Sequence, residues 1–187
     1  MFHSNTQTLI DYWRGQGGYR GLPTRAQIDP AAFPKLLPQV FILGRVNTGF
    51  YPIRLAGGFV ADFHKRNLKG LNGLSLFSER NRLTLHTALE TARRRPEPVV
   101  AMVEAFTDQA SVPMEVLFAP LAGADGSPER FLGLYQPLSL VARLDGRPVR
   151  EIVAHSVRGV GPANEETPRL RLATLARGDD RARSVAG

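Results

Sequence analysis

The sequence predicts an α+β fold, in which a five-stranded antiparallel sheet carries short helices and one long helix on one face. Two observations predict it. Five runs of strand length, apolar or alternating, are separated by turn residues, and one long amphipathic stretch lies between the second run and the third. The strand runs are residues 40–46, 50–55, 98–107, 112–121 and 131–138.

A helix is predicted before the sheet. Ser4 and Gln7 have the form of a capping box, in which each side chain bonds the backbone amide of the other residue. Four residues at helical spacing then give one apolar face: Thr6, Leu9, Ile10 and Trp13. The helix ends in a glycine-rich stretch that begins at Gly15.

A second, short helix follows an extended connector at residues 19–28. Asp29 is placed to cap it, and Pro30 suits the first helical position. Because Pro38 stops propagation, the helix is expected to span only one or two turns over residues 31–37.

The first two strands predict their own places in the sheet. Residues 40–46 are apolar on both faces, with Val40, Ile42 and Val46 on one side, which is typical of a central strand. A turn at residues 47–49 leads into the second strand, where Pro52 has no amide to donate. That strand is therefore expected at a sheet edge.

Residues 59–76 are apolar at irregular spacing and are interrupted by glycines, so short helical turns over a pocket are expected there. The long helix then spans residues 78–95, with Ser78 as its cap and Pro96 as its stop. Its apolar face consists of Leu85, Ala88, Leu89 and Ala92.

For the C-terminal part, the sequence pattern does not select a single secondary structure. Residues 149–157 suit a helix and a strand equally, and both alternatives stay open. From Pro162 the chain has few large apolar residues, which favours a mobile tail. The expected organisation is a domain at residues 1–140, an extension at 141–161 and a tail at 162–187.

This succession of elements resembles the PAS sensory domain over about residues 5–138. The match is closest to the stand-alone PAS proteins of alphaproteobacteria, whose recurring short motifs correspond here to Tyr12-Trp13, Asp29-Pro30, Leu37-Pro38 and residues 54–57 (Arg-Leu-Ala-Gly). The resemblance implies a sensor or adaptor in bacterial signalling that acts through a histidine kinase or a cyclic-dinucleotide enzyme. Because the chain has no cysteine, the PAS light sensors that form a cysteinyl flavin adduct are excluded.

Composition and charge indicate whether the chain can form a core, where it is located and whether it suits nucleic-acid binding. The chain of 187 residues with 43% hydrophobic content can bury a core without disulfides. It shows no run of membrane-spanning length and no signal-peptide pattern, so a cytoplasmic location is expected. The net charge of +7 comes mostly from scattered arginines, and the one run, at residues 93–95, suits a helix C-terminus. Nucleic-acid binding is therefore not favoured.

A ligand cavity is also expected between the sheet and the turns at residues 59–77. The residues expected to line it are Leu55, Phe59, Phe63, Leu71, Leu85 and Tyr135. Arg54 has two interpretations, a contact to an acidic ligand group and, favoured, a structural pairing. The identity of a ligand or cofactor stays open.

Two histidines are candidates for the same cavity. His64 has a polar group to offer, although a solvent-facing position is favoured. His86 corresponds to the axial ligand of haem-binding PAS sensors, but its place beside Leu85 favours a partly exposed surface histidine.

Catalytic signatures are missing from the sequence. It shows no paired metal-ligating histidines, nucleophile elbow or phosphate-binding loop, so an enzyme is not favoured. The alternative hypothesis is a small cavity-containing enzyme or carrier, which predicts titratable groups clustered inside the pocket. A homodimer is also expected, with Leu9, Ile10 and Trp13 at its interface, although the same helix face suits packing on its own sheet.

Overall fold

The computed structural model describes residues 1–17, 22–161 and 169–171, and in these residues the strands form one antiparallel sheet with the order β2-β1-β5-β4-β3-β6-β7. The α+β prediction and its five strands are confirmed, with two strands added at the β3 edge. The strands are β1 Val40–Gly44, β2 Ile53–Ala56, β3 Val99–Phe106, β4 Ser111–Ala122, β5 Pro128–Pro137, β6 Glu151–Gly159 and β7 Arg169–Arg171.

Helices cover both faces of this sheet. The α-helices are α1 Ser4–Gly15, α2 Gly58–His64 and α3 Glu79–Arg94. Short 3-10 turns occur at Arg25–Gln27, Pro30–Ala32, Pro34–Gln39, Gly73–Leu76 and Val141–Leu144. The expected short helix at 31–37 is thus two 3-10 turns, and the Asp29 carboxylate caps the first by accepting from the amide of Ala31 at 2.9 Å.

Three predicted boundaries need correction. The capping residue of α1 is His3, whose Nδ1 accepts from the amide of Asn5 at 3.1 Å, so the box at Ser4 and Gln7 is wrong. Val46 lies beyond β1 and is 56% exposed, because the chain leaves the ladder at Gly44. The connector at residues 19–28, expected to be extended, contains a 3-10 turn at Arg25–Gln27, and residues 18–21 lie outside the described part.

Strand β2 lies at the sheet edge, as Pro52 directly before it predicts, and β1 pairs with both β2 and β5. Consecutive side chains of β1 point to opposite faces of the sheet. Val40 and Ile42 lie in the core on the outer face, under α1, and Phe41 and Leu43 lie in the core on the inner face, under α2 and α3. The period of two along the strand therefore separates the two cores.

In the ambiguous region at 149–157, residues 151–157 belong to strand β6, which ends at Gly159. The edge of β6 that faces away from β3 forms hydrogen bonds with α3. Oδ1 of Asn81 accepts from the backbone amide of Ala154 at 2.8 Å, and Nδ2 of Asn81 donates to the carbonyl of Ala154 at 3.1 Å. The amide of Ser78 donates to the carbonyl of Ile152 at 2.8 Å. These contacts lie in the tertiary structure, which explains why periodicity alone did not decide between helix and strand.

Strand β7 falls within the expected tail at 162–187. It pairs with β6 at residues 169–171, and the other residues of the expected tail lie outside the described part. The extension at 141–161 contributes β6 directly to the main sheet.

The apolar face of α1 packs on the outer face of its own sheet. Thr6, Leu9 and Ile10 are fully buried and Trp13 is 2% exposed. The interface expected at Leu9, Ile10 and Trp13 is therefore corrected, because strands β1, β4 and β5 already cover these side chains.

Polar contacts fix the beginning of α1 to the same strands. The buried carboxylate of Glu115 accepts from the amide of His3 at 3.0 and 3.1 Å. Asn5 donates through Nδ2 to Oε1 of Gln136 at 2.9 Å. Since a carboxylate at a helix N-terminus is favoured by the helix dipole, Glu115 stabilises the docked position of α1.

Among the described residues, no helix combines the length and the apolar character that crossing a membrane requires.

Candidate functional site

The inner face of the sheet, under α2 and α3, encloses a cavity of only about 10 Å³. That volume is at the lower limit for holding a single water molecule. Its walls are aromatic and aliphatic: Phe41, Leu43, Ile53, Val60, Gly73, Leu76, Phe77, Phe118 and Tyr135. The expected ligand cavity is therefore packed nearly shut in this structure.

The predicted lining residues divide into two groups. Phe63, Leu85 and Tyr135 are buried in the inner core, and Phe59 is partly buried against it. Leu55 and Leu71 are 44% and 37% exposed, so their assignment to the cavity is wrong.

A bulge in β2 explains the error for Leu55. Ile53 pairs with Leu43 on the inner face, but Leu55 pairs with Ile42, which belongs to the outer face. Arg54 is the extra residue between them, so the alternation reverses at this point. The Arg54 side chain is exposed and lies across Gly44, outside the cavity.

His64 faces the interior, and its favoured solvent-facing interpretation is wrong. It is 4% exposed, and its Nε2 lies 3.3 Å from the hydroxyl of Tyr135. The relevant signal was present in the sequence, because Val60, Phe63 and His64 follow the i, i+3, i+4 pattern of a buried helix face.

Burial determines the charge state of this pair. It lowers the pKa of His64 to about 4, with a smaller contribution from the positive charge of Arg66. Burial also raises the pKa of Tyr135. Both side chains are therefore neutral at pH 7 and make one polar contact inside an aromatic cluster that includes Phe63.

The second predicted histidine, His86, is partly exposed on α3, as its flanking position indicated. Its Nδ1 lies 3.1 Å from the hydroxyl of Tyr51, a fully buried residue on the segment that leads into β2. The Tyr51 hydroxyl also donates to Oε1 of Glu90 at 2.5 Å.

Glu90 is the centre of a polar cluster that sequence reasoning missed. Its Oε1 also accepts from Nε of Arg45 at 2.8 Å, and its Oε2 accepts from Nη2 of Arg93 at 3.1 Å. Partial burial alone would raise the pKa of Glu90, but hydrogen bonds from Tyr51, Arg45 and Arg93 outweigh it and lower the pKa to about 2. Glu90 is thus ionised throughout the physiological range.

Only part of this cluster had a sequence signal. His86 and Glu90 are four residues apart on one helix, which places them on the same face. Arg45 and Tyr51 come from the chain around the β1–β2 turn, and their arrival at α3 depends on the tertiary structure. The cluster borders an open groove of about 380 Å³, lined by Arg45, Thr48, His86, Thr87, Glu90, Thr91, Arg93 and Arg94.

Within the described residues, no group of three or more His, Asp or Glu side chains is arranged to hold a metal ion.

The strand order and the helices on the inner face can now be compared with known proteins. A family model described as a PAS domain matches residues 1–136. The chain belongs to the PAS domain family. The comparison with curated proteins finds no match.

Solved structures similar to this PAS domain include light-oxygen-voltage domains. The Rhodobacter sphaeroides LOV protein is 13% identical with a TM-score of 0.45, over 63% of this chain and 72% of that one. The dark structure of the Aureochrome1 LOV photoreceptor is 14% identical with a TM-score of 0.44, over 58% and 81%. A blue-light activated histidine kinase of Erythrobacter litoralis is 18% identical with a TM-score of 0.44, over 62% and 37%.

Proposed function

We propose that this PAS domain is a non-enzymatic sensor or adaptor of bacterial signalling, which binds a small molecule in its inner core and passes the change to another protein. Membership of a sensory family supports the general role. The observation that carries the proposal is the buried contact between His64 and Tyr135 in an otherwise aromatic and aliphatic cluster.

The pair of His64 and Tyr135 can form hydrogen bonds with a ligand. A neutral imidazole has one donor and one acceptor, and a phenol can both donate and accept, so one contact between them leaves hydrogen-bonding capacity for a ligand. The surrounding rings of Phe63 and Phe41 favour an apolar or aromatic body. The ligand that fits is a small aromatic or aliphatic molecule with one polar group.

Because the cavity is closed, ligand binding is expected to change the structure around it. Since about 10 Å³ cannot hold such a molecule, binding must displace the segment that covers the cavity. Helix α2 and the turn at Gly73–Leu76 form that cover, so a bound ligand would alter their outer surface. A ligand shifts the protein between two states only through its different affinity for them, and a filled and a closed cavity differ in this way.

The enzyme or carrier alternative is less well supported. It predicts a substrate-sized pocket with clustered titratable groups, whereas the cavity is near the size of one water and, of the described residues, only His64 and Tyr135 meet beside it.

The ligand test is mass spectrometry of the purified protein under native and denaturing conditions. The expected result is a small aromatic or aliphatic compound with one polar group that the wild type carries and Tyr135→Phe loses. Tyr12→Phe is the matched control, because Tyr12 bonds the amide of Asp29 on the outer side. No compound in the wild type, and no thermal shift with phenols, indoles or fatty acids, would refute ligand sensing.

The output partner in this proposal is a histidine kinase or a cyclic-dinucleotide enzyme in the cytoplasm. Cross-linking in growing cells followed by mass spectrometry tests it, and recovery of no signalling protein under any growth condition would count against it.

We also propose that the protein is a homodimer through a surface other than the apolar face of α1. Light scattering of the purified protein tests this.

A further inference from the structure

We propose that the groove between Arg45 and the C-terminal part of α3, a site separate from the inner cavity, binds a small anion carrying a phosphate or carboxylate group. Among the described residues, its lining contains three arginines, Arg45, Arg93 and Arg94, and one carboxylate, that of Glu90. The groove therefore keeps a net positive charge, which attracts anions.

The position of Arg45 is the first step in this inference. Cations at residues 93 and 94 are expected at the end of a helix, where they complement the helix dipole. Arg45 belongs to a different element, directly after β1, and its guanidinium still joins the same cluster 2.8 Å from Glu90. The dipole of α3 does not explain this convergence.

Glu90 holds the two arginines in fixed positions. Arg45 uses its Nε for this contact, and Arg93 uses Nε and Nη2. Both side chains line the groove, and Glu90 engages only Nε of Arg45 and Nε and Nη2 of Arg93, so it leaves the other guanidinium nitrogens of these two residues to further acceptors. Guanidinium groups oriented in advance suit the planar, bidentate recognition of carboxylates and phosphates.

The groove is connected to the core through Tyr51. Its hydroxyl donates to Glu90, its ring packs edge-on against Phe131 at 6.1 Å, and its carbonyl accepts from the amide of Gly73 at 2.8 Å. Gly73 lies in the wall of the inner cavity. An anion bound to Arg45 and Arg93 would therefore perturb the Glu90–Tyr51 hydrogen bond and, through it, contacts beside that cavity.

The test is an NMR titration of the full chain with inorganic phosphate and with succinate, against sodium chloride at matched ionic strength. We expect saturable shifts that Arg45→Gln and Arg93→Gln each weaken at least about tenfold. Arg80→Gln is the control, because it removes the same charge from an exposed position of α3 outside the groove. Circular dichroism and urea unfolding verify that each variant is folded.

The outcomes separate the ligand sources. Saturation by phosphate alone indicates a phosphate-bearing metabolite, saturation by succinate alone a carboxylate, and both support the anion site. No saturation by either, or equal weakening in Arg80→Gln, would overturn the proposal.

Glu90→Gln provides a second, independent measurement. If Glu90 positions the arginines, this variant binds phosphate more weakly although its net charge is more positive; tighter binding would contradict the positioning role. The amide signals of Tyr51 and Gly73 are expected to shift with phosphate in the wild type, and the Gly73 shift to diminish in Tyr51→Phe.

Discussion

The indole Nε1 of Trp13 donates a hydrogen bond of 2.7 Å to the carbonyl oxygen of Pro120, joining α1 to β4 inside the molecule. This carbonyl lies in the interior, and Trp13 itself is 2% exposed. Because a buried carbonyl without a partner is costly, the contact both orients the indole and satisfies the strand. The pair makes α1 part of the outer core.

We expect Trp13→Ala to lower the free energy of unfolding by about 3–5 kcal/mol, since it leaves a large cavity between α1 and the sheet. Trp13→Phe is expected to cost less, because an aromatic ring remains while the hydrogen bond is lost. Urea unfolding measures both, and Leu83→Ala, at a site 75% exposed, is the control. A stable Trp13→Ala protein with half the wild-type mass by light scattering would show that α1 belongs to a dimer interface.

Adjacent glycines are expected to respond oppositely to alanine. A Cβ at Gly57 would lie 2.3 Å from the carbonyl oxygen of Leu37 and 2.4 Å from that of Pro38, and backbone atoms cannot move aside easily. We therefore expect Gly57→Ala to cost about 1–3 kcal/mol. Gly58 meets nothing within 4 Å, and Gly58→Ala should stabilise by up to about 1 kcal/mol. Thermal unfolding compares the pair, and equal effects would contradict the close approach at Gly57.

Asn81 is expected to be essential for strand β6. Asn81→Ala removes both partners from the backbone of Ala154, so the free energy of unfolding should fall by at least about 2 kcal/mol. Amide hydrogen exchange should show Ala154 losing protection before β4 does. Thr84→Ala on the same helix is the control, and unchanged protection at Ala154 would mean that another group covers this edge.

The buried state of His64 predicts a specific dependence of stability on pH. Its pKa falls from 6.5 to about 4 on folding, so between these values the unfolded chain binds a proton that the folded protein does not. The free energy of unfolding should therefore fall as the pH falls from 6.5 towards 4, by at most about 3 kcal/mol, and level off below. Above pH 6.5 His64 contributes no slope.

Urea unfolding across this range tests the prediction by comparison with His64→Phe, in which this part of the pH dependence should vanish. His155→Gln, at an exposed position of β6, should retain it. Identical pH profiles for the wild type and His64→Phe would show that the imidazole is hydrated.

The sequence by itself determined the elements of this protein. Local patterns predicted the strand runs, the edge position of β2 and the apolar faces of α1 and α3. Each pattern, whether a periodicity or a proline without an amide donor, acts within one segment of the chain. The same patterns were sufficient to recognise the PAS fold.

The tertiary structure decided what local patterns leave open. Residues 151–157 became a strand because they pair with β3 while Asn81 and Ser78 bond the other edge, and Leu55 left the cavity because a bulge reversed the alternation in β2. Arg45 and Tyr51 reached Glu90 only through the packing of the β1–β2 turn against α3. Each of these outcomes depends on contacts between residues far apart in the chain, which no spacing rule within a segment contains.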